Sequence, residues 1–267
     1  MSLLSTGIEF PVSEHMMNGQ GTAEEAVMTD SPRSIAQRDT PLPAGLNEER
    51  FAGYGVMGLP FASGHYLAFR HFPASSVGEG YDSVWHRDPA GNWVIYSSVP
   101  PSSSCARYFG SELEDARVEN ISVQWTGPRA FTVEIRHKIV WELELGRSVA
   151  TAAMTGIGRL MPAAWWRSDK VLSAMSKVAG PVLRAGKVGL TGTVSNGQWF
   201  RANPRMLWTV DDSRAMVDGV DIGPPGPLDH QARLGDFWLP QRGMFVVGES
   251  FFEPYDPERH RQNTMGS

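Results

Sequence analysis

ISVQWTGPRAFTVEIRHKIVWELEL, residues 121–145, carries the clearest periodicity in the chain. Ile121, Val123 and Trp125 alternate with Ser122 and Gln124. After the Gly127-Pro128-Arg129 break, Phe131, Val133, Ile135, His137, Ile139, Trp141, Leu143 and Leu145 share one parity. Thr132, Glu134, Arg136, Lys138, Glu142 and Glu144 occupy the other. A period of two with one apolar row is the pattern of strands with a single buried face. A two-residue turn at His137-Lys138 would pair residues of opposite parity, so either the run is one long bent strand or its loop has an odd length.

Working upstream, Tyr81, Ser83 and Trp85 alternate with Asp82, Val84 and His86. Asp88-Pro89-Ala90-Gly91-Asn92 then supplies turn chemistry before the β-prone Trp93-Val94-Ile95-Tyr96, which predicts a hairpin. Downstream, residues 148–185 change character. Ser168 is a plausible N-cap, Val171, Leu172, Met175, Val178, Ala179 and Val182 follow helical spacing, and Pro181 should end or kink that helix. From Lys187 the chain reads as short strands at 188–194, 199–200, 206–210, 215–220 and 244–252, with a two-residue hairpin turn at Asn196-Gly197. The expectation is a mainly β, antiparallel barrel-like fold with a central helical segment.

Residues 1–45 are poor in aromatics and rich in Ser, Thr, Gly, Pro and acids, so they read as a flexible acidic tail. The remainder, 46–260, reads as a single β-rich domain with a helical insertion at about 150–185. The chain of 267 residues has a net charge of −5, all of it in residues 1–50; the rest balances to zero and offers no basic patch, which disfavours nucleic-acid binding. The single cysteine, Cys105, excludes an intrachain disulfide. The opening MSLLSTGIEF lacks a basic n-region and an apolar h-region, and no run is long enough for a membrane span, so a cytoplasmic location is expected.

Gly53-Tyr54-Gly55-Val56-Met57-Gly58 spells GxGxxG, but no strand precedes it and Pro60 follows, so it reads as a Gly-rich turn entering the first strand. No Walker A loop, HExxH helix or Gly-x-Ser-x-Gly elbow occurs. The seven His residues show no ligand spacing, although a three-His site from distant strands stays open. Neither a metal nor an organic cofactor is expected. Glu249 lies on the row of Phe245, Val247 and Phe251, where a carboxylate must be paired, hydrogen-bonded or protonated. Asp82 and His86 share a strand parity. These three are the candidates for proton transfer. Nine Trp and 12 Phe are many for this length, and they suit an apolar site. Tyr66, Trp85, Tyr96, Trp141, Trp199 and Trp238 are the expected pocket wall, and Arg201 or Arg242 the expected carboxylate clamp.

Gly91-Asn92-Trp93 is similar to the Gly-x-Trp of lipocalins. With the surrounding WHRDPAGNW and the later Trp-rich strands, the chain resembles the lipocalin-type carotenoid hydratases and related cyclases. That resemblance implies barrel-like halves around an apolar tunnel, with acidic residues protonating or hydrating an isoprenoid- or polyketide-like substrate. The expected function is a cofactor-independent enzyme that binds a small hydrophobic substrate and uses acid/base residues for hydration, elimination, isomerisation or cyclisation. A carrier of a small apolar ligand, without chemistry, is the alternative.

Overall fold

The computed structural model describes residues 31–45 and 47–260. Its backbone is one curled, mainly β sheet of twelve strands with the two longest helices on its outer side. A short helix α1 (Pro32–Ala36) comes first. Strands β1 (Glu49–Pro60), β2 (Tyr66–Ser75), β3 (Tyr81–Arg87) and β4 (Trp93–Ser97) then run as an antiparallel meander. A single-turn helix α2 (Ala106–Phe109) leads to β5 (Asp115–Val118), which adds to β4 in parallel. The run that decides the fold forms β6 (Ile121–Trp125), β7 (Ala130–Ile135) and β8 (Ile139–Gly146). Helices α3 (Val149–Leu160) and α4 (Asp169–Leu183) follow. The chain closes with β9 (Thr191–Thr193), β10 (Trp199–Val217), β11 (Val220–Asp221), the ribbon β12 (Arg233–Leu234) with β13 (Phe237–Trp238), and β14 (Met244–Phe252). The spatial order is β5-β4-β3-β2-β1-β14-β10-β8-β7-β6, with β9 and β11 also paired to β10.

The predicted apolar row is the concave face. Phe131, Val133, Ile135, Ile139, Trp141, Leu143 and Leu145 are all buried there with Val56, Phe69, Val84 and Phe245, while Glu134, Glu142 and Glu144 face solvent. The turn between β7 and β8 has three residues, the odd-length alternative, and places the exposed His137 at φ 61°. Ile35, inside the segment expected to be a flexible tail, is buried in this same core; residues 1–30 of that segment lie outside the described residues. The convex face carries a second core of Phe51, Tyr66, Tyr81, Trp85, Trp93 and Phe109.

Four expectations are corrected. GxGxxG lies inside β1, not in a turn before it. A Cβ at Gly53 would stand 1.9 Å from the carbonyl oxygen of His71, and one at Gly55 2.1 Å from that of Phe69, so glycine is required by the close approach of β2. The separate strands expected at 199–200 and 206–210, with most of 215–220, are the single 19-residue β10, bent at register shifts beside Pro204–Met206 and Val210–Asp212. The loop at Asn196-Gly197 has three residues rather than two, since Val194 N–H donates to Gln198 O, with Gly197 at φ 97°. Helix α4 also runs two residues beyond Pro181 and stops at Arg184, which caps it at φ 53°.

Candidate functional site

The concave face is filled by its own side chains. A partly open, apolar cavity of about 130 Å³ sits on the opposite face, between the sheet and α4. Its floor is made of positions where side chains are small: Gly53 on β1, Ala202 on β10, and Gly248 and Ser250 on β14. Ala179 and Leu183 of α4 form the roof, and Phe237, Trp238 and Pro240 close one side. A cavity of about 150 Å³ holds a benzene ring, so this space suits a ligand body of that order. A second hollow of about 40 Å³ adjoins it and shares Arg70, Phe72, Phe237 and Ser250. A broader depression of about 480 Å³ opens to solvent beside α4 and shares Val188, Gly189 and Trp238 with the first cavity. Of the two spaces that Arg70 reaches, the first is the better site, because it is the larger and its lining is almost wholly apolar.

That charge is Arg70. It lies on β2 in the row of Tyr66, Ala68 and Phe72 and is 3% exposed. One guanidinium nitrogen donates to the carbonyl oxygens of Val56 and Phe69, the other to Met57 O at 3.1 Å. Three of five N–H groups are thus used, all on neutral acceptors. The guanidinium also lies 5.0 Å from the Trp85 ring centroid. Burial lowers its pKa, and the groups that oppose the shift are Cys105, Tyr66 and Tyr81. Burial raises the pKa of each of these three, so at pH 7 none carries a counter-charge. Among the described residues no carboxylate forms an ion pair with Arg70. A guanidinium stays charged in proteins, so the cavity wall holds an uncompensated cation.

Two further polar groups reach the cavity. Asn203 is 3% exposed, and its Oδ1 is buried without a hydrogen-bond partner. Glu249 borders the cavity and accepts from Arg205 at 2.9 Å, while Arg205 rests 4.7 Å from the Trp166 ring. Tyr54, also at the wall, has its pKa pushed up to about 12 by burial.

The sequence matches no protein-family model and no curated protein. Among solved structures, the chain is similar to an acetoacetate decarboxylase from Legionella pneumophila subsp. pneumophila str. Philadelphia 1. The TM-score is 0.36 and the identity 9%, over 91% of this chain and 96% of that one, a likeness too slight to carry any residue correspondence.

Of the expected site residues, Glu249 and Trp238 border the cavity and Trp85 borders the adjoining hollow. The other two proton-transfer candidates lie elsewhere, because they share the concave parity of Val84. Asp82 accepts from His71 Nδ1 at 2.7 Å. His86 stacks on His65, with 2.9 Å between Nε2 and the His65 Nδ1. Tyr96 and Trp141 are part of the filled concave core, and Trp141 donates to Ser213 Oγ at 2.8 Å. Tyr66 is fully buried and donates to Pro240 O at 2.7 Å. Trp199 is exposed at the start of β10, and Arg242 is half-buried in the turn before β14. Arg201 is engaged by Glu48 at 2.6 Å. Arg70 and Asn203 were missed. The signal for Arg70 was available: in YLAFRHF a cation stands on the row of Tyr66, Ala68 and Phe72. Among the described residues, no group of three or more His, Cys, Asp or Glu is placed to hold a metal ion.

Proposed function

We propose that this chain binds a small organic acid with an apolar body in the cavity beneath α4, and that Glu249 moves a proton on it without an organic cofactor. The observation that carries the reading is Arg70: a buried cation, facing only neutral groups, in the wall of an apolar space. A carboxylate seated there would accept the two remaining N–H groups and neutralise the charge, and the apolar body would occupy the space left by Gly53, Ala202 and Gly248. The unpaired Asn203 Oδ1 would accept a hydroxyl or N–H of the ligand. Glu249, held by Arg205 at the cavity edge, is the group for abstracting or returning a proton, the shared step of hydration, elimination and isomerisation.

A carrier is the second reading, favoured by one feature: the lining is almost wholly apolar. Titration calorimetry and Trp fluorescence, from Trp85 and Trp238, with a panel of small carboxylic acids and their primary amides decide the matter. Wild type should bind acids at least tenfold more tightly than the matched amides, and Arg70→Met should erase that preference. A protein that binds neither class refutes the reading. Glu249→Gln should keep binding and lose turnover; bound acids that wild type leaves unchanged identify a carrier.

A further inference from the structure

Helix α3 is amphipathic the wrong way round. The residues it presses onto β10 are Thr151, Thr155 and Gly158. Thr155 Oγ1 accepts from Leu207 N–H at 3.0 Å, and a Cβ on Gly158 would stand 2.7 Å from Arg205 O. Ala150 and Met154 also pack inward, but its other large apolar side chains point outward: Val149 is 89% exposed, Leu160 85% and Ile157 51%. With Ala153 they follow i, i+4, i+8 and i+11, a single stripe on the face opposite the sheet. Trp165, in the turn after α3, is 56% exposed, and α4 adds Val178 at 58% and Val182 at 47%. Both helices pack over the same patch of Leu207, Met244 and Val246, so they occupy one side of the sheet.

Charge separates in the same place. Residues 146–187 hold seven Lys or Arg and one Asp, a net +6, against 17 bases and 28 acids, a net −11, in the rest of the chain. All seven cations are exposed. Arg147, Arg167, Lys170, Lys177 and Arg184 form no ion pair among the described residues, and Lys187 lies 4.6 Å from the Trp238 ring. The zero balance of residues 51–267 conceals this basic segment, so the expectation that the body has no basic patch is corrected.

We propose that the α3–α4 surface docks on an anionic lipid bilayer, with Val149, Ile157, Leu160 and Trp165 entering the headgroup boundary and the surrounding Lys and Arg meeting lipid phosphates. Each half of the pattern needs the other. Exposed Val, Ile, Leu and Trp on a helix without cations would suit a protein partner, and cations without apolar side chains would suit any polyanion. Together they are the composition of a helix lying in the membrane interface. No helix of the described residues is long and apolar enough to cross, so the contact is peripheral. Lys177 and Lys187, two of these cations, rim the open depression that shares Val188, Gly189 and Trp238 with the cavity. An amphiphilic acid would pass to Arg70 from the lipid phase; this last step rests on the proposed function, whereas docking itself does not.

Co-sedimentation of the full chain with phosphatidylcholine vesicles, with and without phosphatidylglycerol, tests docking at low and high salt. Binding should require phosphatidylglycerol and fall with salt. Each cation removed should weaken it about fivefold, so Lys170→Glu with Lys177→Glu should reduce it by well over tenfold. Val149→Glu with Leu160→Glu should abolish it while far-UV circular dichroism stays unchanged, since both side chains are solvent-exposed. Absence of binding to phosphatidylglycerol vesicles overturns the proposal. Undiminished binding by the Val149/Leu160 variant also overturns it and leaves a simple polyanion contact. Concentration-dependent dimerisation without lipid, lost in that variant and unaccompanied by vesicle binding, overturns it in favour of a second copy. Acid binding by Arg70 in a protein that ignores vesicles would retain the proposed function and reject docking.

Discussion

His86 sits at the end of β3 nearest the turn, stacked on His65 with 11° between the rings. Burial, and then His65, pull its pKa down from 6.5 to about 4, with Asp88 and Asp218 acting weakly the other way. The unfolded chain therefore takes up a proton that the folded chain refuses. Above about pH 7 the histidine is neutral in both states and contributes nothing. Stability falls as pH drops from 6.5 toward 4 and falls no further below that, a loss of up to about 3 kcal/mol over the window. Urea denaturation near neutrality and near pH 4.5 should show this decline in wild type and a decline smaller by about 2 kcal/mol in His86→Phe. Equal declines would refute the assignment. At this scale alternation served unevenly. It identified Glu249 as a polar group on an apolar row and His86 as sharing a strand parity with Asp82, and both Glu249 and His86 are hydrogen-bonded. It passed over Arg70, the expected carboxylate clamp being Arg201 or Arg242, whereas the physical anomaly is any charge on a buried row.

Helix α3 shows how an element can satisfy helical periodicity and still mislead about which side is the core. Its stripe of Val149, Ala153, Ile157 and Leu160 faces away from the sheet, and the contact surface is Thr151, Thr155 and Gly158, where small size lets the helix lie close on β10. Gly158→Ala should force the helix off Arg205 O, costing about 1–3 kcal/mol. An Ala at the adjacent Gly156, which faces open space, should be neutral or slightly stabilising because alanine favours helix. Thermal melts of the two variants compare them directly, and equal midpoints would refute the packing account. The same lesson applies to β10. Pro204 and Asp211-Asp212 look like strand breaks, and in the fold they are bulges that bend one strand so that β14 and β8 can share it. Strand existence was legible across 51–99 and 117–145, where turn chemistry and alternation agree. Continuity through a bulge was not, because it depends on neighbours distant in sequence.

For the whole molecule, sequence alternation locates buried rows but cannot say which buried face keeps space. Strands β1, β2, β3 and β14 are covered on both sides, by the concave core and by the outer layer of helices and loops. The cavity lies where side chains are missing, at Gly53, Ala202 and Gly248, and such a space becomes visible only when these strands are set side by side with α4 above them. The curled sheet is thus a solid support, and both the cavity and the exposed apolar stripe of α3 lie in its outer layer. That layer also shelters Cys105, which is 7% exposed with its thiol 3.0 Å from Tyr81 Oη. Burial raises its pKa, so the closed protein offers no thiolate to a reagent. A disulfide probe such as Ellman's reagent should therefore label native protein only as fast as the 101–113 segment breathes, orders of magnitude more slowly than urea-unfolded chain. Rapid labelling under native conditions would refute this. As the lone sulfhydryl, Cys105 gives the protein an internal stopwatch: the rate at which colour appears times the lifting of the cover beside Arg70.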